Sequence, residues 1–365
     1  MYNISITFSG ENEMNTDEIL RLNDLWQRLK NTDKPIVLYG QGDGADKIIN
    51  ECERHGIIIS GVFASDDFVR HQQFRGFTVK SYDELCEQLG DMLVLVAFGT
   101  QREDVLCNIK RIAAKSETYA PDVAVIGGGL FDKSYFAAHL SEISAIYERL
   151  ADSRSKRTFY DIICYKITGD IKYLFDCECI DEPIRFCDDE IFLDLGAYTG
   201  DTVGEFVQKT GGKYGKIIAV EPDVKNFAKL VKNTEDLHNI THINKAVGDR
   251  REQICFAMKS GRNSVRSQGG RVLEADSVDN MLWKASGGKC TYIKMDVEGQ
   301  EGAAIAGAAN TIAEYQPKMK IAAYHRFDDI IQIPLAVFEQ YDGYSLYLRH
   351  KPYVPAWDTD YYFVK

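Results

Sequence analysis

The chain lacks the features that would send it to a membrane or out of the cell. It starts Met1-Tyr2-Asn3-Ile4, without the basic start and apolar core of a secretory signal. No apolar run approaches the roughly 20 residues needed to cross a bilayer. Paired cysteines are missing as well: the nine cysteines contain no CxxC, and their number is odd. Such usage suits a reducing compartment better than a disulfide framework, so a cytoplasmic protein is expected. Cys177, Cys179 and Cys187 cluster without paired zinc spacing, and small buried or half-buried thiols are the plain reading. An excess of positive charge is also absent. At a formal net charge of −12, a surface that neutralises nucleic-acid phosphates is not expected.

What is present is ordinary globular composition, 45% hydrophobic and 27% charged, over 365 residues. That length is long for one core and comfortable for two. Three segments are expected: a Rossmann-like domain over residues 1–130, a helical connector over 131–185, and a second α/β domain over 186–365. In the first, Thr16–Lys30 reads as an amphipathic helix with Thr16 as N-cap. Strands are then expected at Pro35–Tyr39, Ile57–Ala64, Met92–Phe98 and Asp122–Ile126. Helices at Asp46–His55, Ser81–Leu89 and Gln101–Lys115 alternate with them, which implies parallel strands with crossovers.

The second domain restarts the alternation. Strands are expected at Ile191–Leu195, Lys216–Val220, Ile240–Val247, Gln253–Lys259, Tyr292–Met295 and Lys318–Tyr324. Helices fall at Asp201–Lys209, Asp223–Leu237, Glu301–Tyr315 and Asp328–Tyr341. Ser345–Arg349 and Tyr361–Val364 read as a closing hairpin. Five parallel units followed by an antiparallel pair is the layout of a class I methyltransferase.

The run Asp194-Leu195-Gly196-Ala197-Tyr198-Thr199-Gly200-Asp201-Thr202 follows one strand and opens a helix. Glycines there let the chain turn tightly, and a helix N-terminus favours an anionic group. The next strand ends in Glu221-Pro222, and an acid at that tip can accept hydrogen bonds from ribose hydroxyls. Both features also fit a dinucleotide enzyme or a merely structural strand–turn–helix. Asp194, where a dinucleotide fingerprint usually starts with glycine, and the closing hairpin favour a methyltransferase.

Together with Asn244-Lys245-Ala246-Val247-Gly248-Asp249 and Lys294-Met295-Asp296-Val297-Glu298-Gly299-Gln300-Glu301, these motifs resemble the FkbM family of methyltransferases. The likeness is clear from about Ile191 to Pro317 and looser through Tyr324-His325-Arg326. It implies S-adenosylmethionine as cofactor and O-methylation of a hydroxyl on a sugar, glycoconjugate precursor or similar small molecule. It also implies that Asp194, Gly196, Ala197, Tyr198, Thr199, Gly200, Asp201 and Thr202 form the loop at the methionine end. Glu221, with Pro222, would hold the ribose, and Lys245 and Ala246 would lie near the adenine.

Methyl transfer to a hydroxyl needs a positioned base. Asp296 and Glu298 follow the fourth strand, where open α/β sheets bind ligands, and both face the crevice if the extended chain continues that far. Capping and loop ordering are the bland alternatives. His325, after the fifth strand, is a further candidate base or an ordinary loop histidine. Lys294 shares a face with Asp296 by alternation. No metal-ligand spacing is visible, so no metal is expected. Gly261-Arg262-Asn263-Ser264 and Gly269-Gly270 read as a hairpin loop or a flap.

In the first half, Gly40-Gln41-Gly42-Asp43-Gly44-Ala45 fits a dinucleotide-type turn, with Asp66 and Asp67 near the ribose-acid spacing. A nucleotide or nucleotide sugar and an empty scaffold both remain open, and Asp43 would repel phosphate. Two other functional classes also remain: a non-catalytic sensor of such ligands, and an oxidoreductase fused to a methyltransferase.

Overall fold

The computed structural model describes residues 14–179, 181–257, 265–266 and 271–365. The chain divides into two compact units. The first comprises the chain to Ala124, Gly128–Ile180 and Arg349–Asp358, and the second Val125–Gly127, Asp181–Leu348 and Thr359–Lys365. Among the described residues no helix is long and apolar enough to cross a membrane.

The first unit opens with two short helices, α1 (Thr16–Arg21) and α2 (Leu25–Lys30), where one helix was expected. The cause is a second N-terminus. The Asp24 carboxylate accepts from the Trp26 and Gln27 amides, and Asn15 rather than Thr16 caps α1. Next come β1 (Ile36–Tyr39), α3 (Asp43–Arg54), β2 (Ile59–Phe63) and a small hairpin of β3 (Gln73–Phe74) with β4 (Phe77–Thr78). Helix α4 (Tyr82–Leu89), β5 (Leu93–Val96), α5 (Glu103–Ala113) and β6 (Glu117–Tyr119) complete the alternation. The four-stranded sheet runs β2-β1-β5-β6 with every pairing parallel. Its last strand lies at Glu117–Tyr119 and not at Asp122–Ile126, because Pro121 has no N–H to extend a ladder. The expected connector is helical, as α6 (Lys133–Ala138), α7 (Leu140–Arg149), α8 (Ser153–Thr168) and α9 (Lys172–Asp176), and these helices belong to the first unit.

The glycine turn after β1 has a packing explanation. A Cβ on Gly40 would sit 2.5 Å from the Phe98 ring, and one on Gly44 only 2.4 Å from the Ala97 carbonyl oxygen. Gly44 thus lets α3 lie against the end of β5. Of these three glycines only Gly42, at φ 118°, has nothing near its missing side chain.

The second unit begins with β7 (Ile191–Leu195), α10 (Asp201–Lys209), β8 (Lys216–Val220), α11 (Val224–Asn233) and β9 (Ile240–Ile243). The strand expected over Ile240–Val247 is interrupted at Asn244-Lys245. Beyond it β10 (Ala246–Gly248), β11 (Glu252–Ala257), β12 (Val265–Arg266) and β13 (Arg271–Ser277) form a separate sheet, ordered β10-β13-β11-β12. The candidate flap residues Gly261–Ser264 and Gly269-Gly270 lie outside the described residues. Helix α12 (Val278–Ser286), β14 (Tyr292–Met295), α13 (Glu301–Gly307), α14 (Ala309–Tyr315), β15 (Lys318–Ala322), α15 (Asp329–Gln340), β16 (Ser345–His350) and β17 (Thr359–Val364) follow. The principal sheet has seven strands in the order β16-β17-β15-β14-β7-β8-β9, with β17 antiparallel to β15. Chain order reverses between β7 and β14, so their C-terminal tips border the crevice in which such sheets bind ligands. Phe192 and Tyr292 stack beneath it with ring centroids 4.8 Å apart.

Two glycines give opposite expectations. Gly44→Ala should destabilise the first unit by about 1–3 kcal/mol, the cost of overpacking against a backbone oxygen. Gly204→Ala, in α10 with open space around its Cβ, should instead gain about 0.4–1 kcal/mol. Chemical denaturation of both variants checks the pair, and a stabilised Gly44→Ala would contradict the packing argument.

Candidate active site

The crevice of the second unit is built on a buried charge pair. Asp194, at the end of β7, is fully buried, and the Lys294 ammonium on β14 lies 3.4 Å from its Oδ1. Lys294 also donates to the Gly196 carbonyl at 3.1 Å and lies 3.9 Å from Asp296. Lys294 thus does approach Asp296, but Asp194 is its nearer partner. Burial raises the Asp194 carboxyl, against the opposing pull of Lys294. Burial depresses the ammonium, yet Asp194 and Asp296 carry it above its usual value.

Gly196 and Ala197 turn the chain by donating their amides to the Val220 carbonyl, both at 3.0 Å. A Cβ on Gly196 would come within 1.9 Å of the Asp296 carbonyl oxygen, so the two loops touch backbone to backbone. Tyr198 adopts φ 48°, unusual for a residue with a side chain, and leaves its ring exposed. The Thr199 carbonyl accepts from Asn233 at 2.8 Å. Gly200, at φ 91°, precedes α10, whose first turn carries Asp201 and Thr202 and has no side-chain cap.

Glu221 is tied to this loop. Its carboxylate accepts the Tyr198 amide at 2.9 Å and the Asp223 amide at 2.8 Å. Burial outweighs those bonds and pushes its carboxyl up to about 7. Asn244 locks the Glu221-Pro222 corner by donating to both carbonyls, at 2.8 and 3.1 Å. Ala246 is buried in β10, while the Lys245 ammonium points to Glu274 and Asp276, at 3.0 and 2.9 Å.

The acidic run does not continue β14. The strand ends at Met295, and Glu298 takes φ 52° before Gly299 at φ 82°. This turn, not strand alternation, brings Asp296 and Glu298 to one place: their carboxylates lie 3.5 and 3.6 Å from His325 Nε2. Glu301, the first residue of α13, reaches back to accept the Val297 amide at 2.9 Å and lies 2.9 Å from His325 Nδ1. Burial lowers the imidazolium, but Glu301, Asp296 and Glu298 outweigh it and carry it up to about 10. Asp329, which accepts the Arg326 amide at 2.7 Å, is pushed up to about 7 by burial and by the neighbouring Glu301. Asp296, Glu301 and His325 hold oxygen or nitrogen atoms within 4.8 Å of one another, a grouping that could hold a metal ion and that linear spacing did not reveal.

Sequence reasoning missed a strap over this cluster. Ile126 donates its amide to the His325 carbonyl at 3.0 Å, and its side chain lies 3.2 Å from where a Gly299 Cβ would be. Arg326 Nε donates to the Gly299 carbonyl at 2.8 Å. The glycines that follow Ile126, at 127–129, were the available signal.

The strand order, the glycine turn after β7 and the acidic turn after β14 together define a methyltransferase-type α/β unit. Residues 194–354 match the methyltransferase FkbM domain. A crystal structure of methyltransferase FkbM from Methylobacillus flagellatus KT superimposes with a TM-score of 0.68 at 20% identity, over 97% of this chain and 94% of that one. The likeness therefore extends to the fold of the whole chain. Aeropyrum pernix fibrillarin, solved with natively bound S-adenosyl-L-methionine, is more distant: TM-score 0.33, 15% identity, 50% of this chain and 70% of that one. No curated protein matches the sequence.

Glu221 gives a pH test. Its carboxyl moves from 4.5 to about 7 on folding, so the folded state holds the proton more tightly than the unfolded one. Its contribution to stability is greatest below about pH 4.5 and is lost as pH rises toward 7. Between pH 5 and 8, ligand-free wild type should therefore lose about 1–3 kcal/mol relative to Glu221→Gln. The comparison of pH slopes, from denaturation curves, removes the constant cost of giving a carboxamide to two amide donors. Parallel slopes would contradict the burial argument.

Proposed function

We propose that the protein is an S-adenosylmethionine-dependent O-methyltransferase acting on a hydroxyl of a sugar, glycoconjugate precursor or similar small molecule. The observation that carries this is the pairing of two ends on one crevice. One end is the uncapped start of α10 with the Glu221 carboxylate; the other is the carboxylate group around His325. The loop of Asp194, Gly196, Ala197, Tyr198, Thr199, Gly200, Asp201 and Thr202 would form the methionine end of the cofactor site, with the fully buried Asp194 and Ala197 shaping it from behind. Free amides at the α10 N-terminus suit its carboxylate. Glu221 keeps lone pairs for the ribose hydroxyls beyond its two amide bonds, with Pro222, Lys245 and Ala246 toward the adenine. Bound there, the cofactor supplies an electrophilic methyl group.

At the other end, exposure separates the candidate groups. The side chains of Asp296 and Glu298 are 37% and 25% exposed, whereas that of His325 is 2% exposed. An acceptor hydroxyl can therefore meet the carboxylates but not the imidazole, which makes His325 a positioning residue behind them. One of these carboxylates would take the hydroxyl proton as the oxygen is methylated. The proposal does not extend to a nucleotide in the first unit, since packing accounts for Gly40 and Gly44.

Purified protein should bind S-adenosylmethionine by calorimetry and transfer labelled methyl to a member of a panel of sugar and lipid-linked hydroxyl compounds. Glu221→Ala should weaken cofactor binding about ten- to a hundredfold. Asp296→Asn and Glu298→Gln should keep cofactor affinity and lose about 10²–10⁴ in turnover. His325→Ala should lower kcat with cofactor affinity intact, and His325→Gln should recover part of that loss. Wild-type turnover in both carboxylate variants would remove these residues from the chemistry. Cofactor binding without transfer to any hydroxyl would favour a sensor.

A further inference from the structure

The grouping around His325 gathers three carboxylates, those of Asp296, Glu298 and Glu301, about one imidazole. Glu301 is 1% exposed, and its Oε2 has no hydrogen-bond partner. A buried carboxylate oxygen left without a partner is costly, which points to a further group that meets it. The other Glu301 oxygen lies 2.9 Å from His325 Nδ1, yet that nitrogen makes no aligned hydrogen bond. Asp296, Glu301 and His325 each offer an oxygen or nitrogen within 4.8 Å of the others, close enough for small side-chain rotations to bring them onto one ion at roughly 2.1 Å.

We propose that Asp296, Glu301 and His325 hold a divalent cation, with Glu298 at the rim and the acceptor oxygen completing the coordination. The three donors come from the turn after β14, the start of α13 and the loop after β15, so the fold assembles the site before any ligand arrives. Two carboxylates and an imidazole suit a hard-to-borderline ion such as Mn²⁺ or Zn²⁺, with positions left open. The ion lowers the pKa of a hydroxyl bound to it, while Glu298 remains to take the proton. The inference rests on reading this sheet edge as the acceptor end of a methyltransferase crevice. The rival account, an imidazolium held among carboxylates with no ion, leaves Glu301 Oε2 unsatisfied.

The test needs neither cofactor nor acceptor. Full-length protein is stripped with a chelator and titrated with Mn²⁺, following loss of the free-ion paramagnetic resonance signal. One ion per chain should bind. Asp296→Asn, at an exposed position, and Glu301→Gln should each weaken binding by at least about tenfold, since even outer partners of a metal site cost about 10–100-fold. Glu235→Gln, an acid outside the cluster, should change nothing. Circular dichroism melts verify that the variants are folded, and Asp296→Asn decides the matter if Glu301→Gln is not. Absence of saturable uptake, or uptake indifferent to Asp296→Asn, overturns the proposal. Calorimetry with S-adenosylmethionine on the same stripped protein separates the readings. Cofactor binding without Mn²⁺ binding sinks the metal alone, and Mn²⁺ binding without cofactor binding sinks the methyltransferase reading and leaves the metal site standing.

Discussion

Lys294 is the group on which the crevice depends. It stands on the central strand β14 with its side chain 9% exposed, and it holds Asp194, the Gly196 carbonyl and, at longer range, Asp296. Those contacts join the ends of the two strands between which the sheet reverses direction. A buried ion pair is weak evidence of stability, because desolvation cancels most of the attraction, but removing one partner strands the other at a cost of about 3–5 kcal/mol. Asp194 without Lys294 would be a fully buried, uncompensated carboxylate. The pair therefore fixes where the glycine turn can go. Gly196 must lie against the Asp296 carbonyl because the strand ends that carry them are pinned.

From that contact the two ends of the crevice follow. On one side the turn delivers the Tyr198 amide to Glu221, at the tip of β8, so the strand-tip acid is oriented by the loop it faces. On the other side the chain leaves β14 at Asp296 and must reverse within a few residues to start α13. Glu298 and Gly299 do so at positive φ, and the strain of a non-glycine residue there is accepted where the surroundings over-determine it. The Val297 amide on Glu301 and Arg326 on the Gly299 carbonyl supply that determination.

The layout of the second unit was legible because its signals are local. Short apolar runs end at turn residues, and the closing antiparallel strand follows a helix of known length. Where the reading went astray, side chains decided matters that hydrophobic pattern could not. Asp24 started a second helix inside an apolar periodicity that looked continuous, and Pro121 moved the last strand of the first sheet to the residues before it. Asn244 interrupted a β-branched run, because its amide has a better use in closing the Glu221-Pro222 corner.

The candidate site was legible one residue at a time, and its assembly was not. Asp296 and Glu298 stood out in one motif and His325 beyond another, but alternation gave the wrong reason for their meeting. The residue that organises them, Glu301, read as a favourable charge at a helix start, which it also is. Its burial and its contact with His325 arise from the distance between β14 and β15, a tertiary fact with no period in the sequence. The same holds for Ile126, which reaches His325 from a segment well over a hundred residues earlier in the chain. A sequence names the groups that can do chemistry when their types are rare in a turn. It does not say which of them are paired off by neighbours from elsewhere. Here that pairing separates two part-exposed carboxylates, Asp296 and Glu298, from the buried histidine they flank.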